Sequence, residues 1–317
     1  MPDRVARDRV VSVSVDLDAI ACYYRIHALP GVPPGEARFA ILRRCLPRFA
    51  ELFARHGVRA TLFVVGGDLD DDPEGRALLA QLARDGHELA SHSQTHPYDF
   101  VRLGAPRIAE EIDRAHAAIG ACAGAAPVGF RAPGYEISGA VLEALAARGY
   151  RYDSSLLPSP PYYGAKALVM AAMRAVGRQS GSILGDPRAT IGPRHPYRPG
   201  TGGSVYRPGG GPLVELPIAV TPVARLHVIG TSLVLAPEWL RRRLVAAALR
   251  DRFFNLELHG IDLCDAEADE IPPALIARQP DLRRPLARKL AALEATLRQT
   301  REAGGRFATL AEVAGAF

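Results

Sequence analysis

Four short groups of residues in this chain combine side-chain types and spacings that could do chemistry. The run Val10 to Val15 reads as a strand and ends at Asp16, with Asp18 beyond Leu17. Residues two apart in an extended chain project to the same side, so the two carboxylates enter one space. His92 and His96 enclose Ser-Gln-Thr directly after a third strand, His87 to Ser91. That spacing lets two imidazoles converge on one metal from a helical turn. Phe130-Arg131-Ala132-Pro133-Gly134 puts a guanidinium at the end of another strand, where bidentate hydrogen bonds would hold a carboxylate in a fixed orientation. The backbone amides past Pro133 are candidate donors to an oxyanion. Leu256-Glu257-Leu258-His259-Gly260 ends a late strand in an imidazole.

Nitrogen ligands together with a carboxylate suit zinc best among divalent metals, with cobalt, nickel or manganese as alternatives. The histidine pair lacks the glutamate that follows the first histidine in a zinc-protease helix. Each group also has a structural use: Asp18 as a cap, the histidines as surface residues of a helix, Arg131 in a β-to-α turn, and His259 satisfied at a strand end. Only their conjunction is specific.

In this order, and at the carboxyl ends of strands, the four groups resemble the polysaccharide deacetylase family, also called the NodB-homology or carbohydrate esterase family 4. The resemblance runs from about Val10 to His259. The family's first motif, usually Thr-Phe-Asp-Asp-Gly, falls on Val15 to Asp18, where Leu17 separates the acids. That form is similar to the Asp-x-Asp version of lipid-linked aminosugar deformylases. His92 to His96 matches the second motif, Arg131 to Pro133 the third, and Leu258-His259 approaches the fifth. The fourth, often Asp and Trp together, is met only by Tyr152-Asp153-Ser154-Ser155, since the sole tryptophan is Trp239.

The resemblance implies roles. Asp16 is the base, oriented by Arg131; Asp18, His92 and His96 hold a divalent metal; and His259 is the acid, with Asp153 expected to orient or charge its ring. Pro133, Gly134 and Tyr135 lie on the substrate side, with the N–H of Gly134 or Tyr135 facing the oxyanion. The implied reaction is hydrolysis of an N-acetyl or N-formyl amide on an amino sugar, with a nucleotide-linked or lipid-linked precursor as the expected partner. A cyclic amide or imide hydrolase of the same fold, and a non-catalytic carbohydrate-binding homologue, are the rival readings.

Positioning these residues takes alternating strands and helices around a parallel sheet. Helices are expected at Ala37 to Arg55, Asp72 to Arg84, Pro106 to Ile119, Gly139 to Arg148, Pro237 to Arg250 and Asp281 to Glu302. Between them lie strands at Ala60 to Val65, Val128 to Arg131, Tyr150 to Asp153, Pro212 to Val220 and Phe253 to His259. The fold class is α/β, a deformed (β/α)7-type barrel in one domain over 1–317, interrupted by an irregular insertion at 156–211. Within the insertion, Ala165 to Val176 reads as an apolar helix, either a lid on the barrel or a cover for a lipid tail at a membrane surface.

With 48% hydrophobic and 23% charged residues, composition is that of an ordinary globular domain. The net charge of +5 is scattered apart from Arg241-Arg242-Arg243, so no nucleic-acid partner is expected. Cys22, Cys45, Cys122 and Cys264 form no Cys-x-x-Cys pair and read as buried thiols. The polar stretch Met1 to Arg9 has no secretory character, and no apolar run spans a bilayer. The expected location is the cytoplasm, with peripheral contact at the inner face of the membrane.

Overall fold

Strand β1 (Arg9–Asp16) alternates valine with serine and ends in aspartate, and this alternation decides what each face of the sheet carries. Val11, Val13 and Val15 join the main hydrophobic core beneath the helices. Ser12, Ser14 and Asp16 are buried on the opposite, concave face. In a computed structural model the chain is described over residues 9–200 and 205–317. Residues 1–8 of the polar N-terminal stretch and residues 201–204 of the insertion lie outside the described residues.

The remaining strands are β2 (Thr61–Val64), β3 (Glu88–Ser91), β4 (Gly129–Phe130), β5 (Tyr152–Asp153), β6 (Val214–Glu215), β7 (Phe253–His259) and β8 (Gly305–Phe307). All named pairings are parallel, in the order β6-β5-β4-β3-β2-β1-β7. β7 follows β1 along its length, from Val10 against Phe253 to Asp16 against His259. β8 pairs with Arg9 to Val11 and β2 with Ser14 to Asp16. The curled sheet is drawn together where Ala219 N donates to Asn255 O (3.0 Å) and Asn255 Nδ2 donates to Leu216 O (3.0 Å). The deformed barrel expected from the βα rhythm is therefore observed.

Helices Pro73–Arg84, Ala105–Ala123, Gly139–Ala146, Glu238–Ala248 and Leu286–Glu302 cover the sheet. Asp72 caps the first through Gly75 N, Ser138 caps the third through Val141 N, and Gly124 ends the second in a left-handed conformation. Proline accounts for the departures from expectation. The helix expected at Ala37 to Arg55 is split into a 3-10 turn (Gly35–Phe39), a π turn (Ile41–Cys45) and an α-helix (Leu46–Arg55). Pro47 has no N–H to return to the carbonyl of Arg43, so the ladder must widen before it. Pro285 likewise divides Pro280–Arg283 from Leu286–Glu302, and Pro217 ends the sixth strand after Glu215.

In the insertion, a helix runs over Pro160–Ala175, capped by Ser159 through Tyr162 N, and so begins before the expected Ala165. Gly181 N donates to Arg25 O (2.9 Å) and Ser180 Oγ donates to Ile26 O (2.7 Å), tying the insertion to the helix Ile20–Ile26. No helix among the described residues is long and apolar enough to cross a membrane.

Candidate active site

The carboxyl ends of β1, β3, β4 and β7 bring the candidate residues to one place. Asp18 Oδ1 lies 3.2 Å from His92 Nε2 and 3.2 Å from His96 Nε2, with all three residues buried. His92 Nδ1 donates to the carbonyl of Arg131 at 2.7 Å, which leaves the Nε2 lone pair facing Asp18. Asp18 Oδ1 is a buried acceptor without a hydrogen-bond partner among the described residues. Such a charge is costly to bury alone, and an acceptor beside two ring nitrogens is the donor set a divalent cation takes. Burial alone would raise the Asp18 carboxyl, but the facing imidazoles of His96 and His92 outweigh it and hold the group well below its usual range.

The histidine loop is not the helical turn that the spacing suggested. Ser93 (φ 65°) and His96 (φ 53°) are in the left-handed region, and the segment is irregular. Left-handed non-glycine residues cost about 1–2 kcal/mol each, so other contacts must hold them. Glu111, buried on the helix Ala105–Ala123, accepts from Gln94 N (3.1 Å), Thr95 N (2.9 Å) and Thr95 Oγ1 (2.8 Å). Ser93 Oγ accepts from His96 N at 3.1 Å. Glu111 was absent from the sequence-derived site, because nothing in its helix marks it as a loop anchor.

Arg131 is fully buried and donates through Nη1 to Asp16 Oδ1 at 2.5 Å. The bidentate grip expected of it does not form. Nε donates to Ser154 O (2.8 Å), and Nη2 donates to Ser154 Oγ (2.9 Å) and Ser14 Oγ (3.1 Å). The guanidinium stands 4.1 Å from the Phe63 ring centroid. One oxygen of Asp16 is thus fixed, while Oδ2 reaches to 3.9 Å of His92 Nε2.

His259 has a different partner from the one expected. Its Nε2 lies 3.3 Å from Glu257 Oε1 and 3.1 Å from Tyr135 Oη, and Tyr135 Oη donates to Glu257 Oε1 at 2.6 Å. Burial opposes charge on this ring, yet Glu257, followed by Asp16, Asp18 and Asp262, raises it to about 9. Asp153 instead accepts from Ser155 Oγ (2.7 Å) and faces Glu215, its register partner on β6. Burial, the largest influence, pushes both of those carboxyls up, Asp153 to about 6. The physical reason is local pairing: Asp153 is engaged by Ser155 and set against Glu215 in the register of β5 and β6, whereas Glu257 precedes His259 by two residues on the same face. The same-face argument applied to Asp16 and Asp18 would have found it.

The turn after Arg131 carries two positive φ angles, Gly134 (79°) and Tyr135 (68°). Tyr135 N donates to Ala132 O at 3.4 Å and Ala132 N to Ser155 Oγ at 2.8 Å, which leaves Gly134 N as the amide of residues 132–135 without an acceptor among the described residues. Pro133 is buried and does not line the cavity; Gly134 and Tyr135 do. The cavity, of about 410 Å³, has Asp16, Asp18, His92, His96 and His259 at its base. Tyr98, Tyr162 and the insertion helix, through Lys166, Val169, Met170 and Met173, form its wall. Tyr163 Oη donates to Tyr135 O (3.3 Å), joining that helix to the turn below it.

Comparison with known proteins finds similarity over part of the sequence and a shared fold. Residues 39–152 match the family model for polysaccharide deacetylase. A peptidoglycan deacetylase of Helicobacter pylori is 26% identical over 162 residues, 50% of this chain and 54% of that protein. A chitooligosaccharide deacetylase of Bradyrhizobium sp. is 37% identical over 90 residues, 28% of this chain and 39% of that protein. The chain thus spans about half, or less, of the length of these curated relatives. A crystal structure from Mycobacterium smegmatis described as a polysaccharide deacetylase superposes with a TM-score of 0.60 at 20% identity, covering 99% of this chain and 92% of that one, and shows the same fold. Residues 39–152 thus match the polysaccharide deacetylase family model, the curated deacetylases are similar over part of their length, and the barrel is shared.

Proposed function

We propose that this chain is a metal-dependent hydrolase that removes an acyl group, acetyl or formyl, from the amide nitrogen of an amino sugar, releasing a carboxylate and a free amine. The observation that carries this reading is Asp18 Oδ1 at 3.2 Å from both His92 Nε2 and His96 Nε2, beside an aspartate held by a buried arginine. A divalent cation bound by Asp18, His92 and His96, zinc by ligand type, supplies Lewis acidity at the acyl oxygen and lowers the pKa of water from about 15.7 to roughly 7.

The chain's own residues do the rest. Asp16, fixed through one oxygen by Arg131, keeps the other free to take a proton from water. Gly134 N–H donates to the oxygen that gains charge. His259, charged up to about pH 9, gives a proton to the departing nitrogen, which leaves poorly as an anion. Glu257 and Tyr135 hold that ring in place.

The relatives' names, peptidoglycan and chitooligosaccharide deacetylase, support an N-acylated amino sugar as substrate. Apolar Val169, Met170 and Met173 beside the site, and Leu168 at 74% exposure on the same helix, support a precursor with a lipid or other apolar group, taken up at a membrane face in the cytoplasm. Purified protein should contain metal and release acetate or formate from a panel of N-acyl hexosamines, and chelation should abolish this. Full activity in metal-free protein, or no release from any N-acyl sugar, would contradict the proposal. Ring opening of a cyclic imide in the same assay would favour the rival hydrolase.

A further inference from the structure

Away from the catalytic cavity, a cleft of about 560 Å³ opens between the helices Glu238–Ala248 and Leu286–Glu302. Four arginines line it, Arg241, Arg284, Arg288 and Arg298, against a single carboxylate, Glu238. Arg241 is only 8% exposed. Its Nε is buried without a hydrogen-bond partner, and its side chain makes no ion pair among the described residues. A buried guanidinium donor left without an acceptor is costly, so an Arg241 side chain that lines the cleft with Nε unpartnered calls for an anion. The neighbours do not supply one. Glu238 is exposed and turned to Arg242 at 3.9 Å. Arg284 donates to the carbonyl of Leu235 (3.1 Å), and Arg298 stands 3.9 Å from Glu302.

Two helices also begin here. Pro237 and Glu238, which line the cleft, start one, and the other starts at Leu286 beside Arg284 and Arg288. Free N–H groups and the positive end of a helix add to the attraction for an anion. Guanidinium forks match phosphate oxygens two at a time, and a group with several charged oxygens can engage arginines from both helices at once.

From this arrangement we infer that the cleft is a second binding site, for a phosphate-bearing ligand. Its lining shares no residue with the catalytic cavity, and the short helix Gly230–Leu235 runs between the two places, with Thr231 lining the cavity and Val234 the cleft. The site does not depend on the deacylase reading.

Inorganic pyrophosphate, a nucleoside diphosphate, and vesicles of phosphatidylcholine with or without phosphatidylglycerol are the probes. Equilibrium dialysis and vesicle sedimentation read binding, and the emission of Trp239, the sole tryptophan, reads occupancy beside the cleft. Saturable binding to at least one probe is expected, weakened roughly tenfold or more by Arg241→Gln and by added salt. Exposed Arg288→Ala should weaken it as well, and carries the test if the buried variant fails to fold. Binding of the soluble anions assigns the phosphate to a soluble ligand, and sedimentation only with phosphatidylglycerol assigns it to a lipid headgroup; either supports the inference. No saturable binding by the parent protein, or equal binding by parent and Arg288→Ala, overturns it.

Discussion

Replacing Glu257 with glutamine isolates one charge in the acid half of the site. The amide keeps the shape of the carboxylate and can still accept from Tyr135 Oη, now 2.6 Å away, but it no longer favours a charged His259. Burial opposes protonation of that ring, and Glu257 is the largest of the charges that reverse it and raise it to about 9. An opposite charge at this range is worth roughly 1–3 pKa units. The sign follows: the protonated acid is lost as pH rises through about 9 in the parent, and at a lower pH in the variant. With a loss of one to two units, the protonated fraction at pH 8 falls from about 0.9 to between about 0.5 and 0.1. Below about 7 Glu257, raised by burial, itself takes up a proton, so parent and variant should converge there. The assay is kcat/KM against pH for both proteins loaded with the same metal, so that the cation's own field cancels. An unmoved basic limb, or the same fractional loss at pH 6 and pH 8, would refute this reasoning and leave Glu257 a packing residue.

Three further outcomes follow from the geometry. Asp16→Asn and His259→Ala should each retain metal while turnover falls about 10²–10⁴-fold, measured as acetate release beside metal content. Glu111→Ala frees two backbone amides and a hydroxyl of the histidine loop, and should weaken metal affinity by about 10–100-fold in a competition titration, without touching a ligand directly. Arg131→Lys cannot replace the four hydrogen bonds to Asp16, Ser14 and Ser154, and breaking a buried pair costs about 3–5 kcal/mol, so a fall in Tm of roughly 5–10 °C is expected by calorimetry.

Much of this site was legible because it sits where the strand pattern is strongest. The alternation of valine and serine before Asp16 marks a strand with one face on the core, and the motif residues follow strand ends, where a parallel barrel gathers its loops. What stayed hidden depends on contacts between distant segments. Asp153 was expected beside His259 from its match to the family's fourth motif, but the register of β5 and β6 sets it against Glu215. The irregular histidine loop could not be foreseen, because its left-handed residues are stabilised by Glu111 from a helix beyond it. The short element Gly305–Phe307 is too brief to show a period, and becomes a strand only because the start of β1 lies open beside it. Proline was readable in principle: Pro47, Pro217 and Pro285 each interrupt an element that the apolar pattern alone would continue.

The central claim is that Asp18, His92 and His96 hold one divalent cation, and a titration of metal-free protein with cobalt, followed by its visible absorption, tests it most directly. One equivalent should bind, with bands that are lost in Asp18→Ala, His92→Ala and His96→Ala alike. Unchanged stoichiometry and spectrum in Asp18→Ala would place the metal elsewhere and contradict the account.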